Sequence, residues 1–360
     1  MNNLNIVSQR LSNQHLAGNP LGKPEEVVAW LGAVQAQDYA GAKWAIGQRV
    51  QGADDAGVDR AFDEGKILRT HVMRPTWHFV APEDIRWLLE LTAPRVNGVN
   101  GTMYRKFELD EALFARSNTI IAEALVGGRY LTRTELSTAL ERAGIAAKGV
   151  RLAYIIIRAE LDAVVCSGPR RGKQFTYALL DERAPQAQSL PYETALVELT
   201  RRYFTGHSPA TIDDFAWWSG LTKTQARTGL ELVGSALIRE TVGDQTYYLA
   251  PNLPLVKEPS PTAHLLPNYD EYLISYRDSS PVLDPAHAHL IERQNPIFAH
   301  FLVIDGRMVG AWRRDFQKDT VTITLRRFVT LSDTEEAAVR IEAERFANFT
   351  RAAKVIMEQA

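Results

Sequence analysis

The apolar positions of this chain favour short amphipathic helices that alternate with pairs of β-like runs. One order of elements occurs three times: three helices, and then two β-rich runs joined by a polar turn. This order is typical of a winged helix, a helix-turn-helix variant in which a β-hairpin forms the wing. We therefore predict an α+β fold, mainly helical, with three tandem winged-helix units and a small C-terminal β-rich unit that ends in a closing helix.

The first repeat is the least regular, and we assign it to residues 1–105. Pro24 suits the first turn of a helix, and Glu25 and Glu26 suit its positive N-terminal end. A β-hairpin is predicted around Arg74-Pro75. The pattern predicts β-like runs over 67–73 and 76–80, and helices over 8–16, 24–35, 42–49, 58–64 and 82–91.

The second repeat, assigned to residues 106–186, has the clearest signals. Thr132 with Glu135 three residues later is a capping box, which predicts a helix N-terminus. Arg170, Arg171 and Lys173 lie in a glycine-containing turn between two β-like runs, so this wing tip is suited to phosphate contacts. The pattern predicts helices over 110–125, 132–143 and 150–161, and β-like runs over 164–166 and 175–179.

The third repeat and the C-terminal unit are assigned to residues 187–261 and 262–360. Thr211 and Asp214 resemble a capping box. Prolines between 251 and 267 indicate a linker-like path. The predicted elements of the third repeat are helices over 191–204, 211–219 and 222–232, with β-like runs over 238–241 and 246–249. Those of the C-terminal unit are β-like runs over 299–304, 308–313 and 320–328, and one long helix over 335–357.

Bulk properties narrow the class of protein. The 360 residues are 45% apolar, which is enough for several buried cores. A net charge of −2 argues against a dedicated non-specific nucleic-acid binder, although cations cluster locally over 142–173 and 307–327. We find no apolar run long enough to span a membrane and no signal-peptide pattern at the N-terminus. The lone Cys166 cannot form an internal disulfide, which favours a reducing cytoplasm.

Gln35 and Gln37 are the main candidates for chemistry. Residues two apart on a helix point to nearly opposite faces, so both amides can aim at one place only if the helix ends near Gln35. Two converging neutral amides could hold a water or a ligand without titrating. On composition alone, however, most Gln-x-Gln sequences are surface amides without a role.

Several nearby residues have two interpretations each. Tyr39 and Trp77 are either core aromatics or part of a pocket beside the glutamines. His71 and His78 flank the predicted hairpin turn, but no thiolate or third histidine lies near them to complete a metal site. We therefore take His78 as a pocket residue, and Cys166 as a small apolar residue of the wing.

Four separated segments carry a family resemblance: AVQAQDY (33–39) with KWA (43–45), RTHVMRPTWHFV (69–80), LLPNYDEY (265–272) and DGRMVGAWR (305–313). They resemble the AlkZ/YcaQ family of winged-helix DNA glycosylases, and the resemblance covers essentially the whole chain. Members carry three tandem winged helices in a concave arrangement and excise alkylated purines, including crosslinked bases. Their signature is Gln, an apolar residue, then Gln or Asp, and Gln35 and Gln37 match the AlkZ-like form.

This resemblance implies a monofunctional DNA glycosylase that hydrolyses the N-glycosidic bond of cationic N-alkylated purines in double-stranded DNA, with Gln35 and Gln37 positioning the water. We expect a cytoplasmic monomer without metal or organic cofactor and without a membrane partner. DNA contacts are expected at Arg170, Arg171, Lys173, Arg307 and Arg313. The alternatives are a non-catalytic winged-helix DNA-binding protein, such as a transcription regulator, or a scaffold. The sequence leaves open the physiological lesion, the choice between self-resistance and general repair, and the role of Tyr269-Asp270-Glu271.

Overall fold

A computed structural model describes residues 5–251, 260–291 and 300–360, and within them the fold is mixed α/β. No helix in these ranges is long and apolar enough to cross a membrane. A short N-terminal helix, α1 (Ile6–Asn13), precedes the first repeat. That repeat consists of α2 (Pro24–Leu31), β1 (Val34–Gln35), α3 (Tyr39–Gly47), α4 (Asp55–Asp63), β2 (Leu68–His71) and β3 (Trp77–Val80).

A second segment repeats this order after the long helix α5 (Ile85–Lys106). In both segments the strands form an antiparallel sheet with the last strand in the middle, in the orders β1-β3-β2 and β4-β6-β5. The second segment consists of α6 (Glu111–Leu125), β4 (Leu131–Thr132), α7 (Arg133–Arg142), α8 (Gly149–Leu161), β5 (Val165–Ser167) and β6 (Thr176–Leu179), and the short helix α9 (Leu180–Arg183) follows.

The third segment has the same order with one reduction. Its first strand is only a bridge between Ala210 and Tyr248, so its sheet is a two-stranded hairpin. The elements are α10 (Tyr192–Gly206), α11 (Ile212–Ser219), α12 (Lys223–Val233), a 3-10 turn (Gly234–Ala236), β7 (Ile238–Val242) and β8 (Gln245–Leu249).

A five-stranded sheet forms the C-terminal part, in the order β13-β12-β11-β10-β9. Its pairs are antiparallel except β12 with β13. The elements are β9 (Ala263–Leu266), α13 (Glu271–Ile274), a 3-10 helix (Pro285–Leu290), β10 (Phe301–Ile304), β11 (Arg307–Gln317), β12 (Thr320–Arg327), α14 (Asp333–Thr350) and β13 (Lys354–Gln359).

The predicted capping boxes are confirmed. Thr132 accepts from the backbone N–H of Glu135, whose carboxylate accepts from the N–H of Thr132, and Thr211 pairs with Asp214 in the same way. These reciprocal bonds satisfy N–H groups that have no partner within the helix. They start α7 and α11 at the predicted residues.

Three predicted helices are wrong by four residues or more at one end. The helix over 24–35 ends at Leu31, because Gly32 leaves the helical path with φ of 76° and the chain then joins a sheet. The helix over 82–91 continues to Lys106 through Pro94, and the burial of one face, including Val96 and Tyr104, compensates for the lost hydrogen bond. The closing helix ends at Thr350, and residues 354–359 form the edge strand β13 instead.

Apolar packing joins parts of the described chain that are distant in sequence. One cluster combines α2, α3 and α4 with the C-terminal sheet and α14. A second combines β2 and α5 with α10 and α11. A third lies within the second segment, and a fourth packs α1 against the C-terminal sheet. The boundaries near 105, 186 and 261 stay predictions, and these clusters show that the first segment is held by both the third segment and the C-terminal sheet.

Candidate active site

The two glutamines lie at the end of an edge strand, not on a helix. Gln35 is the last residue of β1 and stands opposite His78 of β3, and the Ala36 N–H donates to the Trp77 carbonyl at 2.7 Å. The chain is therefore extended at Gln35. Side chains two residues apart on an extended chain point to the same face, which is the condition for Gln35 and Gln37 to converge. The sequence predicted that the helix ends near Gln35, and in the structure it ends four residues earlier, at Leu31.

Backbone pairing between β1 and β3 stops at Ala36, because side chains bond to the backbone groups that the two strands would otherwise pair with each other. The Arg69 guanidinium donates through Nε and Nη2 to the Ala36 carbonyl, at 3.1 and 3.0 Å. The Trp77 N–H donates to Gln37 Oε1 at 3.3 Å. Gln37 is exposed, but its side-chain carbonyl oxygen ties it to β3, the central strand.

Gln35 is buried, with 7% of its surface exposed, and its backbone N–H donates to Glu271 Oε1 at 2.8 Å. Its side-chain amide makes no hydrogen bond within the described ranges of the chain. The motif therefore presents one sheltered amide and one solvent-facing amide, both uncharged at any pH.

His78 shares a face of the sheet with Gln35, because the two residues are paired across β1 and β3, and Thr70 is paired with His78 on the other side. Burial, reinforced by the charge of Arg74, lowers the pKa of His78 to about 3. The ring is therefore neutral. Its Nδ1 lies 3.0 Å from the Thr76 carbonyl, which can only accept, so Nδ1 carries the proton and Nε2 is an acceptor.

Several buried polar atoms of this hairpin and its turn lack a protein partner. Among the residues that the structure describes, no hydrogen-bond partner is found for Thr70 Oγ1, Arg74 Nε and Nη2, Thr76 Oγ1 and His78 Nε2. Buried polar atoms of this kind commonly bond to ordered water or to a ligand. Two of these atoms, Thr70 Oγ1 and His78 Nε2, belong to residues that share a face of the sheet with Gln35.

Tyr39 and Trp77 flank the motif in different ways. The Tyr39 hydroxyl donates to Asp59 at 2.8 Å, and its ring packs edge-on against Phe62, Phe79 and Phe175. Trp77 is half-buried, and its ring carries the Arg69 guanidinium 4.1 Å from its centre. Tyr39 thus braces the loop after the motif, whereas Trp77 lines its edge.

The two hairpin histidines lie on opposite faces of the sheet, because His71 is paired with Trp77 and His78 with Thr70. They cannot ligate one metal ion together. His71 Nδ1 instead lies 2.5 Å from Glu160 Oε2, and both side chains are buried. Within the described parts of the chain, no group of three or more His, Cys, Asp or Glu side chains is arranged to hold a metal ion.

The predicted cations of the wing have unequal roles in the structure. Arg170 is half-buried, lies 3.4 Å from Asp59, and packs over the Tyr39 ring. Arg171 is exposed but donates to Glu135 at 2.8 Å. Lys173 is exposed and makes no hydrogen bond or ion pair with any residue that the structure describes.

The two predicted cations of the C-terminal sheet do not form one patch. Arg307 and Arg313 are both exposed on β11, six residues apart, which is about 20 Å along a strand. Arg314, the neighbour of Arg313, points instead to the glutamine loop, where its guanidinium lies 3.5 Å from Asp38.

Sequence reasoning missed three residues at the site: Arg69, Arg314 and Glu271. Arg69 and Glu271 lie in the segments that carried the family resemblance, which was the signal available. Their contacts with the motif join residues that are 33 and 236 positions apart. The spacing of apolar residues along the sequence does not predict contacts over such distances.

Comparisons with known proteins agree with this architecture. The family model described as "DNA glycosylase AlkZ-like" matches residues 28–349. The chain is 25% identical to the "Interstrand DNA cross-link repair glycosylase" of Streptomyces sahachiroi over 367 aligned positions, covering 97% of this chain and 96% of that protein. The solved structure "Streptomyces sahachiroi DNA glycosylase AlkZ" superposes with a TM-score of 0.84 at 22% identity, covering 99% of this chain and 98% of the other. The chain therefore belongs to the AlkZ-like family and is a DNA glycosylase, a hydrolase that acts on N-glycosyl bonds.

Proposed function

We propose that this glycosylase releases cationic N-alkylated purines of the N7-alkylguanine type from double-stranded DNA, with Gln35 and Gln37 positioning the attacking water. The observation that carries the proposal is the pair of neutral amides at the open end of β1, beside buried polar atoms that lack protein partners. Alkylation at N7 makes guanine a cationic leaving group, so the glycosidic bond breaks toward an oxocarbenium-like state with little acid assistance.

The reaction needs a held water more than a strong base. Water adds to C1′, the electron pair of the C1′–N bond passes to the purine and neutralises its charge, and the surplus proton of the water leaves to solvent. Amide carbonyl oxygens can orient the water and favour the developing positive charge. The side-chain amides of Gln35 and Gln37, which would contact the water, stay uncharged, so this step does not depend on the titration of a side chain.

The carboxylates beside the motif are engaged elsewhere, which supports a role for the amides. Asp38 accepts from the Gly41 N–H at 3.1 Å as the cap of α3 and pairs with Arg314. Glu271 faces the backbone of Gln35 with one oxygen and Trp218 with the other. Neither presents an oxygen that is free of protein donors to act as a general base.

The duplex would be held by three winged helices in a concave arrangement. The three segments support this, since they repeat one order of helices and strands with the last strand central in the two three-stranded sheets. The exposed cations Lys173, Arg307 and Arg313 would contact phosphates. We infer a monomer, and we extend the substrate to N7-linked interstrand crosslinks because the Streptomyces relative is named for that repair.

Base release from a duplex that contains N7-methylguanine tests this function. We expect wild type to release free base, and Gln37→Ala to be about 100-fold slower in single turnover because one water contact is lost. Gln35→Ala should be slow as well. Gln51→Ala, which removes another exposed glutamine, is the matched control and should keep the wild-type rate.

A crosslinked duplex then tests the substrate range, with unhooking followed on a denaturing gel. Equal rates for wild type and Gln37→Ala on methylated DNA would overturn the role of the amides. Tight binding of both duplexes without any base release would overturn the proposed substrate class.

A further inference from the structure

Glu271 connects the C-terminal part of the chain to the glutamine motif. It is the first residue of α13, its side chain is fully buried, and it belongs to the segment Tyr269-Asp270-Glu271, whose role the sequence analysis left open. Its partner in the motif is the Gln35 N–H, 236 positions earlier in the chain. A contact of this kind places a buried carboxylate directly behind a residue proposed to hold the reacting water.

Both oxygens of this carboxylate are occupied. Oε1 accepts from the Gln35 N–H at 2.8 Å. Oε2 accepts from Trp218 Nε1 at 2.9 Å and from Ser275 Oγ at 2.5 Å, and His207 Nε2 lies 3.8 Å away. The carboxylate thus ties together β1, α11 and α13.

The geometry of β1 explains why an acceptor is needed here. In an antiparallel pair, successive N–H groups of one strand point alternately toward and away from the partner. The Ala36 N–H points to β3, where it bonds to Trp77, so the Gln35 N–H points away from the sheet into the interior. Without Glu271 this donor would be buried without a partner, which is costly.

The carboxylate is ionised and rigidly mounted. Burial alone would raise the pKa of Glu271, but His207, Ser275 and the Gln35 N–H outweigh burial and lower that pKa below its usual value. Bonds to a charged acceptor are stronger than bonds between neutral groups. The preceding residue, Asp270, is fixed by two bonds from Arg49, at 2.8 and 2.9 Å.

We propose that Glu271 is a positioning residue of this glycosylase, which fixes the main chain at Gln35 and thereby sets where the Gln35 amide meets the water. This inference rests on the proposed function of the glutamines. It assigns no contact with DNA to Glu271, so its removal should slow the chemical step without weakening duplex binding. A shift of about 1 Å in a reacting group can slow a reaction about 100-fold.

Glu271→Gln is the test, because it keeps the shape of the side chain and removes its charge. A glutamine can accept from one side only, so it must leave either the Gln35 N–H or the Trp218 and Ser275 donors poorly paired. We expect single-turnover base release to fall 10- to 100-fold, with the dissociation constant for the duplex unchanged within twofold. Glu342→Gln, which alters another buried carboxylate that does not contact β1, is the matched control and should keep the wild-type rate.

Hydrogen exchange at the Gln35 amide provides a second readout that does not need activity. Glu271→Gln should speed exchange at this amide, and the control should not. If Glu271→Gln does not fold, Ser275→Ala replaces it: it removes one donor to Oε2, and we expect a several-fold slower release with unchanged duplex binding.

The outcomes separate this inference from the proposed function. Base release by wild type but not by Gln37→Ala, together with a wild-type rate and unchanged Gln35 exchange in folded Glu271→Gln, overturns the positioning role alone. Loss of duplex affinity in parallel with rate also overturns it. No base release by wild type overturns the proposed function, and the exchange at Gln35 then still decides whether Glu271 holds the strand.

Discussion

At the candidate site, the surroundings of a side chain decide its role more than its residue type does. Gln35 and Gln37 are the same side chain two positions apart, yet one is buried and held by its backbone, while the other is exposed and held by its side-chain oxygen. The same holds for the basic residues of the wing: Arg170 packs against an aromatic ring and Lys173 faces solvent. Charge alone therefore does not identify a DNA contact.

This difference predicts that Lys173→Ala affects DNA binding, whereas Arg170→Ala affects stability. Lys173→Ala should weaken the binding of any duplex sequence about equally and reduce the slope of log affinity against log salt by about 1, because one phosphate contact is lost. Arg170→Ala should instead lower the melting temperature, because it leaves Asp59 short of one cation and removes packing on Tyr39.

Duplex affinity measured across a salt series and thermal melting of both variants check this prediction. An unchanged salt slope for Lys173→Ala would remove that residue from the DNA interface. A stable Arg170→Ala with a reduced slope would show that Arg170 leaves its ion pair to bind DNA.

At the level of elements, the sequence predicted what local rules decide. Capping boxes placed the starts of α7 and α11, and the turn at Arg74-Pro75 placed the hairpin of β2 and β3. It missed β1, since a strand of two residues has no periodicity, and it extended the final helix over β13, whose residues become a strand only by pairing with β12. The spacing of the two glutamines made them candidates and the family resemblance gave them a role, whereas only tertiary contacts identify Arg69 and Glu271, which hold them.

The turn at the end of α11 packs closely against the hairpin of β2 and β3, and this contact can be tested. Gly220 ends α11 with φ of 70°, and a Cβ there would lie 2.2 Å from the Met73 carbonyl oxygen. Gly220→Ala therefore adds a backbone clash to the strain of a left-handed residue. We expect it to lower the free energy of unfolding by at least about 2 kcal/mol.

Gly52→Ala is the matched control, because Gly52 has a similar φ of 63° and nothing within 4 Å of its Cβ position. It should cost only about 1 kcal/mol, from the strain alone. Denaturant unfolding of both variants measures the difference. Equal losses would show that the hairpin and α11 are not in rigid contact.

At the scale of the whole molecule, the first segment is held in place by the rest of the chain. Its helices share a core with the C-terminal sheet and α14, and Arg49 of the first segment forms a buried ion pair with Asp270. The glutamine motif is thus fixed from two sides, by Arg69 of its own sheet and by Glu271 of α13. The long separation in sequence between these parts explains why the motif could be found from sequence but not its support.

The pH dependence of stability should report on this shared core through Glu342 of α14. Burial raises the pKa of this carboxyl from 4.5 to about 7, although Arg345 and the Leu265 N–H oppose the shift. Because the folded protein keeps a proton that the unfolded chain has lost, stability falls as pH rises from about 4.5 to 7. The loss from this group is about 3 kcal/mol when complete.

Glu342→Gln cannot titrate, so its free energy of unfolding relative to wild type should rise between pH 5 and pH 8. Urea unfolding at both pH values measures this difference. A constant difference between the two proteins would mean that water reaches Glu342 and that the core between the first segment and α14 is looser than the packing of Trp44 against Phe346 and Phe349 indicates.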